Sequence, residues 1–598
     1  MTDLSGGSSP SLVRQDAPLR TVPGRAAAAL FHVKAALLRA RRHVQEVTDG
    51  ARPRRHPIDA PLRDAPVIAH AQSALWPAAA GPGEWVLTAG KVHNLRVAVR
   101  HLDGVVVPAG QVFSFWRQIG RATRRRGFVA GRELREGCMV SSVGGGLCQL
   151  SNALYDAALS AGFEIVERHA HSRVVPGSRA VLGRDATVFW NYVDLRFRSR
   201  QAFRIEARLS DRDLEIRFRG TSDDAPGMVV PSPPALRGGV HDCVSCEQLS
   251  CFRHAPPTSR SDERPTAWLI DACWPEYAAL SAEQSGPGDT LFLPMRGPLA
   301  RRYVWPRSPG GEIRATVVAL ARTIATRRQP PQGHAVQSLA LTYDRRLAAW
   351  YANRLPYTHT HLVIGQSLLP HLWRLGCLQG RTFDVLMERW PLAELQSRLD
   401  RAHRAHPDSP TLGDFRAPPE IVAAETAALA AAGRLYTPHH ALAVSLPGRS
   451  VLLPWVVPTI AAPRSVVGGR TLLFPASPVG RKGAYALREA LRGLDVDLVV
   501  TGRAREHDGK SLGDFWGDIP IRQLDGAAWP DRLAVVVLPA VIEHQPRALL
   551  RAQALGVPVI ATPACGMPPQ PGVTLVRDDD IAALRDAIVV HLHASGAG

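Results

Sequence analysis

Residues 471–491 read TLLFPASPVGRKGAYALREAL. The run 471–476 is short, apolar and of strand type. Residues 482–494 carry apolar side chains at helical spacing. Between them lies a Pro/Gly loop ending in two cations, Arg481 and Lys482. A strand that feeds a helix through a short loop is a βα unit. The pattern continues outward. VDLVVTG (496–502), LAVVVLPA (533–540) and VPVIAT (557–562) read as buried strands, with an amphipathic helix over 547–555. Upstream, TAWLIDAC (266–273), DTLFLPM (289–295) and HLVIGQ (361–366) supply strands for a second sheet. The expectation is an α/β region of two Rossmann-like halves, 266–455 and 456–598. In such sheets ligands bind beyond the carboxyl ends of the strands. Arg481 and Lys482, beside free helix amides, would make a cradle for a diphosphate there.

A second motif, PAVIEHQPRALLRAQALGVPVIATPACG (539–566), stands after the third of these strands. Together the two motifs resemble the retaining glycosyltransferases of GT-B fold. The resemblance implies a nucleotide-diphosphate sugar bound without metal between the two halves. It implies a Lys-Gly at the donor phosphate, matched by Lys482 and Gly483. It also implies a Glu-x7-Glu pair, of which Glu543 matches the first member; the second falls on Arg551. Arg481 is the candidate for the family's separate phosphate arginine. The histidines of YTHTH (357–361) and TPHHA (437–441) are further candidates, although a lone histidine is usually structural.

A linker with an internal cysteine island, residues 221–265, precedes this region. HDCVSCEQLSCFRH spaces Cys243, Cys246, Cys251 and His254 within twelve residues. Four such ligands suit a structural zinc, or an iron–sulfur cluster with one histidine. Residues 1–50 read as a disordered tail followed by a basic amphipathic helix over 25–46. Packing is the favoured reading of that helix, and a peripheral membrane anchor is the alternative. Eight cysteines in 598 residues do not make a disulfide framework, and no secretory signal or ~18-residue apolar span is evident. A cytoplasmic address, at the inner face of the membrane if the helix is an anchor, is expected. The net charge of +19 comes almost wholly from scattered arginines, since four of the 72 basic residues are lysine. No nucleic-acid motif accompanies it, so no nucleic-acid partner is expected.

Residues 51–220 form a separate α+β unit in this reading. Its centre is GGGLCQLSN (144–152), three glycines and Cys148 ahead of a helical pattern that Gly162 closes. A helix N-terminus favours a thiolate, and glycines leave room for a substrate. Two strand-like segments follow: EIVERHAHS (164–172) with His169 and His171, and TVFWNYVDLRF (187–197) with Asn191 and Asp194. Either histidine could serve as base, and Asp194 could orient it. A tight turn before a buried structural cysteine would leave the same letters. FRIEARLSDRDLEIRFRG (203–220) reads as a hairpin.

This region resembles the VanW family of bacterial proteins. The matching stretches are KVHNLRVAVRHLDGVVVPAGQVFSFW (91–116), IGRATRRRGFVAG (119–131), GGGLCQLSNALYDAAL (144–159), VERHAHSRVV (166–175) and GRDATVFWNYVDLRFRS (183–199). The resemblance implies a bacterial cell-envelope setting and no particular reaction. The leading expectation is therefore sugar transfer from a nucleotide diphosphate to a polysaccharide or lipid-linked acceptor. The alternatives are a thiol amidase or acyl transferase acting on peptidoglycan-like substrates through Cys148, or a non-catalytic carbohydrate-binding scaffold.

Overall fold

The structure is a computed structural model. It describes residues 33–34, 36–44, 55–76, 82–135, 138–171, 183–221, 264–297, 301–328, 334–414, 416–460, 467–502, 506, 512–524, 529–530 and 532–596. Two compact units result, one from residues 1–263 with Gln379–Arg381, the other from Arg264–Leu378 and Thr382–Gly598.

The first unit is α+β. Strands β1 (Val67–Ala74), β2 (Val105–Val107), β8 (Phe203–Leu209) and β9 (Asp213–Gly220) form an antiparallel sheet in the order β1-β9-β8-β2. β3 (Val112–Ser114), β6 (Glu164–Glu167) and β7 (Arg196–Arg198) form a second, and β4 (Ala130–Arg135) with β5 (Cys138–Val143) a hairpin. The expected hairpin at 203–220 is β8–β9. Its burial alternates strictly in β9, as one packed face requires. Ser210 N–H closes its turn on the Asp213 carbonyl at 2.9 Å. Helix α1 (Pro82–Val99) and helix α2 (Leu147–Ser160) supply the other layer, with α2 lying against β1 and β9. Leu150, Leu154, Ala157 and Ala158 of α2 are buried. The core includes Phe113, Phe163, Phe197, Phe203 and Phe218 in mutual ring contact. Each such ring contributes roughly 1.5–3 kcal/mol by leaving water.

One sequence expectation is corrected in this unit. Residues 187–197 are not a continuous strand. The chain turns at 190–192, with Phe189 and Val193 exchanging backbone hydrogen bonds, and only Arg196–Arg198 joins a sheet. The aromatic alternation that suggested a strand fits a turn whose rings pack: Trp190 meets Trp116 edge-on, and Phe189 stacks on Tyr192. Within the predicted basic helix, residues 36–44 are helical. Arg42 pairs with Glu167, and Arg39 donates to the Trp190 carbonyl at 3.0 Å.

The second unit holds two wholly parallel sheets. The first joins β10 (Thr266–Leu269), β11 (Thr290–Leu293), β12 (Glu312–Arg314), β13 (His361–Gly365), β14 (Thr382–Leu386), β15 (Leu435–Thr437) and β16 (Ser450–Leu452) in the order β12-β11-β10-β13-β14-β15-β16. The second joins β17 (Val467–Phe474), β18 (Asp497–Val500), β19 (Ile521–Gln523), β20 (Leu533–Leu538), β21 (Val559–Ala561) and β22 (Val573–Leu575) in the order β19-β18-β17-β20-β21-β22. Both follow the 3-2-1-4-5-6 order of a doubly wound sheet, the first with a seventh strand beyond the sixth, so in each the order of strand addition reverses between the first and fourth strands. Helices cover the sheets, and LAVVVL of β20 is buried at every position. The region is thus α/β with two Rossmann-like halves, the GT-B arrangement. Among the described residues no helix is long and apolar enough to cross a membrane.

Candidate functional site

In the second unit the sequence-predicted cations and carboxylate meet where β17 and β20 diverge. After β17 the chain makes a single 3-10 turn, Gly480–Lys482, before the helix Ala484–Leu491. The cations therefore sit one turn ahead of the helix rather than in it. Gly483 makes this turn: its φ is +86°, and a Cβ there would lie 1.9 Å from the Pro539 carbonyl oxygen after β20. The Arg481 carbonyl accepts from the N–H groups of Val541 and Ile542, at 3.1 and 3.2 Å. Lys482 Nζ reaches Glu543 Oε2 at 2.6 Å, and Glu543 Oε1 accepts from the N–H groups of His544 and Gln545.

His544 follows Glu543 directly. Its Nδ1 is buried and has no partner among the described residues. Burial first, then the charges of Lys482, Arg389 and Arg481, hold its ring well below the usual imidazole range. Arg389 belongs to the first sheet, in the loop after β14, so both halves contribute cations. Sequence reasoning missed Arg389 and His544. It also missed two acids at strand ends, the buried Asp271 after β10 and the partly buried Glu388 after β14. Burial and then Asp271 raise Glu388 to about 7. Asp271 is bound by Arg322 at 2.6 Å. Their signal was their place, directly after apolar strand runs.

The two halves are tied beside these loops. Arg547 forks onto Glu276 at 2.7 and 2.6 Å. Glu506 accepts from Thr411 Oγ1 at 2.7 Å and from Gly480 N–H at 2.6 Å. His439 Nδ1 accepts from Leu442 N–H, and its Nε2 lies 3.0 Å from the Ala564 carbonyl. That makes His439 a helix cap and strut. His359 and His361 stand at the amino end of β13, bonded to Thr290 and Thr382, away from the ligand edge.

In the first unit, the glycines of GGGLCQLSN do local work. Gly144 and Gly146 have φ of +83° and +102°. A Cβ at Gly146 would come within 2.2 Å of the Lys91 side chain, and one at Gly145 within 2.3 Å of the Gly131 carbonyl oxygen. Asn94 braces this turn, donating to the carbonyls of Val129 and Gly145 at 3.0 Å each and accepting from Val129 N–H at 2.9 Å. Gln149 accepts from Lys91 Nζ at 2.9 Å. Ser151 donates to the Ala186 carbonyl at 2.6 Å, and Asn152 accepts from its N–H at 2.7 Å. Helix α2 thereby fixes the backbone between Asp185 and Thr187, and Thr187 lies beside Cys148. Cys148 is half-buried, and its Sγ lies 3.8 Å from Thr187 Oγ1.

His171 completes the cluster. Its Nδ1 and its backbone N–H each lie 2.7 Å from Asp185 Oδ2. Burial opposes its charge, but the hydrogen bonds to Asp185 and Cys148 prevail and raise it to about 9. Arg168 holds the other Asp185 oxygen at 2.7 Å. The structure thus brings Cys148 and His171 together and adds Asp185, which sequence reasoning passed over in its irregular segment. Asp194 is elsewhere: it accepts from Ser114 Oγ at 2.5 Å, Trp116 N–H at 3.1 Å and Arg196 Nε at 2.9 Å. His169 is exposed and lies 3.2 Å from Glu167.

Two family models match the chain. "VanW like protein" matches residues 90–219, and "Glycosyl transferases group 1" matches residues 470–593. A VanW-like domain is fused to a glycosyltransferase-like one. The VanW-like domain is 38% identical over 107 residues to YoaR of Bacillus subtilis, and 34% identical over 114 residues to the vancomycin B-type resistance protein VanW of Enterococcus faecalis. Each match covers 18% of this chain and 35% and 41% of those proteins, so the chain spans well under half the length of these relatives. The glycosyltransferase-like unit finds the lipopolysaccharide outer core galactosyltransferase WaaB, at 12% identity and TM-score 0.32 over 55% of this chain and 90% of that one. It also finds WaaG, a glycosyltransferase involved in lipopolysaccharide biosynthesis, at 14% and 0.32 over 56% and 93%. At these values the superpositions establish no residue correspondence. The predicted metal ligands Cys243, Cys246, Cys251 and His254 lie outside the described residues. Among the described residues no group of three His, Cys, Asp or Glu is placed to hold a metal ion.

Proposed function

We propose that the glycosyltransferase-like unit transfers a sugar from a nucleotide-diphosphate donor to a polysaccharide or lipid-linked acceptor of the bacterial envelope. One observation carries this reading: Arg481, Lys482 and Glu543 come together in the loops after β17 and β20, at the carboxyl ends of the strands, with Lys482 Nζ 2.6 Å from Glu543 Oε2 and the Arg481 carbonyl bonded to Val541 and Ile542. Guanidinium and ammonium groups so placed neutralise a leaving diphosphate as the glycosidic bond breaks. Glu543, already aligned by two backbone amides, accepts hydroxyl hydrogen bonds from the donor sugar. Asp271 and Glu388 lie on the opposite half, where an acceptor hydroxyl would enter. The envelope setting is taken from the names of the VanW-like and lipopolysaccharide relatives.

The test is a thermal-shift panel of UDP- and GDP-sugars on the full chain. A hit that raises Tm, and that Lys482→Ala weakens by about 10–100-fold in Kd, supports the reading. Such a loss is the ~1.5–3 kcal/mol of a charge-assisted hydrogen bond. Binding that leaves the donor uncleaved with every envelope acceptor tried would reduce the unit to a carbohydrate-binding scaffold. No shift with any nucleotide sugar would overturn the proposal.

A further inference from the structure

We propose that Cys148, His171 and Asp185 form a second active centre in the VanW-like domain, one that cleaves acyl groups from amides or esters through a thioester on Cys148. This goes beyond sugar transfer and rests on different residues. Cys148 is the second residue of α2, whose cap is Gly146, and no side chain caps that end. First-turn amides of a helix lack carbonyl partners within it. Here the Gln149 N–H is taken by the Gly146 carbonyl at 3.0 Å, and the amides of Leu147 and Cys148 are the ones that would stabilise a thiolate and, during reaction, an oxyanion. His171 stands between the thiol and Asp185, the order of nucleophile, base and orienting carboxylate. Asp185 cannot swing away, because Arg168 and the His171 backbone N–H hold it from two sides. The thiol and imidazole are both partly exposed, the latter at 16% of its side chain. A merely structural cysteine needs none of this.

The chemistry balances without a further reactant except water. The Cys148 thiolate attacks the acyl carbonyl carbon, so a C–S bond forms as the C–N or C–O bond breaks. His171 gives its proton to the departing amine or alcohol. Water then attacks the thioester and yields a proton to His171, and the acid leaves as the thiolate is restored. Asp185, from the 183–189 segment, lies 2.7 Å from His171 Nδ1 and favours the imidazolium, so His171 keeps its proton up to about pH 9.

Two measurements on the full chain test this. In the first, iodoacetamide alkylation of each cysteine is followed by mass spectrometry from pH 5 to 10. Cys148 is expected to react at pH 6 at least ~10-fold faster than glutathione, as a thiol beside a protonated imidazole at a helix start does, with a change in the profile where His171 loses its proton, near pH 9. Asp185→Asn should move that upper limb down, a shift a structural aspartate would not cause. In the second, p-nitrophenyl acetate should give a burst of one p-nitrophenol per chain. Cys148→Ala should abolish it, and His171→Ala should slow it ~100-fold, the usual contribution of a general base. Nucleotide-sugar binding and the circular dichroism spectrum serve as folding controls. The comparison of wild-type Cys148 with glutathione needs no variant. Equal rates there, or an acetate burst that survives Cys148→Ala, would overturn the proposal whatever the outcome for sugar transfer.

Discussion

Asp185 and Asp194 carry the same side chain in one domain, yet only Asp185 meets an imidazole. Asp194 is 2% exposed and surrounded by donors: a hydroxyl, two amides and a guanidinium. Its carboxylate fastens β3 to the turn at 190–192. Asp194→Ala is therefore expected to cost stability, about 1–3 kcal/mol for each donor left unsatisfied in the core, and to leave the Cys148 alkylation rate unchanged in the folded fraction. Urea titration and labelling of the same sample separate the two effects; equal losses in both would return Asp194 to the site. Gly483 makes the corresponding case in the other unit. Gly483→Ala meets the left-handed penalty of roughly 1–2 kcal/mol and a carbonyl oxygen at 1.9 Å. The turn has to move, and Lys482 moves with it. A lower Tm, together with loss of any nucleotide-sugar shift, is the expected calorimetric result.

At the level of elements, α2 acts as a jig. Its first turn presents the thiol, and its second grips Ala186 through Ser151 and Asn152, between Asp185, which holds His171, and Thr187, which lies beside Cys148. Ser151 is fully buried. Ser151→Ala should cost ~1–3 kcal/mol, because it orphans a buried carbonyl and removes its donor. It should also slow alkylation of Cys148 although it touches neither the thiol nor the base. Guanidinium denaturation and the pH–rate profile measure the two effects, and an unchanged profile would show that Arg168 and the His171 backbone N–H suffice to hold Asp185. The helix itself was legible from its spacing, and so was the β8–β9 hairpin. The segment 183–197 was not. It has no period, and its aromatic alternation mimics a strand where the chain turns back.

Across the second unit, the two sheets are joined by polar contacts buried from water. Glu276 has no exposed side-chain surface and is paired with Arg547. Arg547→Ala strands that carboxylate, with the Val456 N–H left to it among the described residues, and should destabilise the unit by about 3–5 kcal/mol. Replacing both partners by Met and Leu should cost much less, because no buried charge then remains. A double-mutant cycle by urea unfolding decides between this and a pair of negligible weight, for which the single substitution would be silent. Loss of the tie is also expected to weaken nucleotide-sugar binding, since Arg389 and Lys482 come from opposite sheets.

The sequence by itself determined the elements. Apolar runs, helical spacing, the glycine turn before Cys148 and the cationic loop before Gly483 are local patterns, and local sterics and hydrophobic period decide them. It also brought Cys148, His171, Lys482 and Glu543 forward as candidates, because their chemistry is written in their side chains. Only the tertiary structure decided which groups meet. Lys482 and Glu543 are 61 positions apart and pair because β17 lies next to β20. Asp185, and not Asp194, faces His171 because Ser151 and Asn152 fix the backbone at Ala186. Strand order and side-chain docking are settled by burial over the whole core, and no window of neighbouring residues contains that energy.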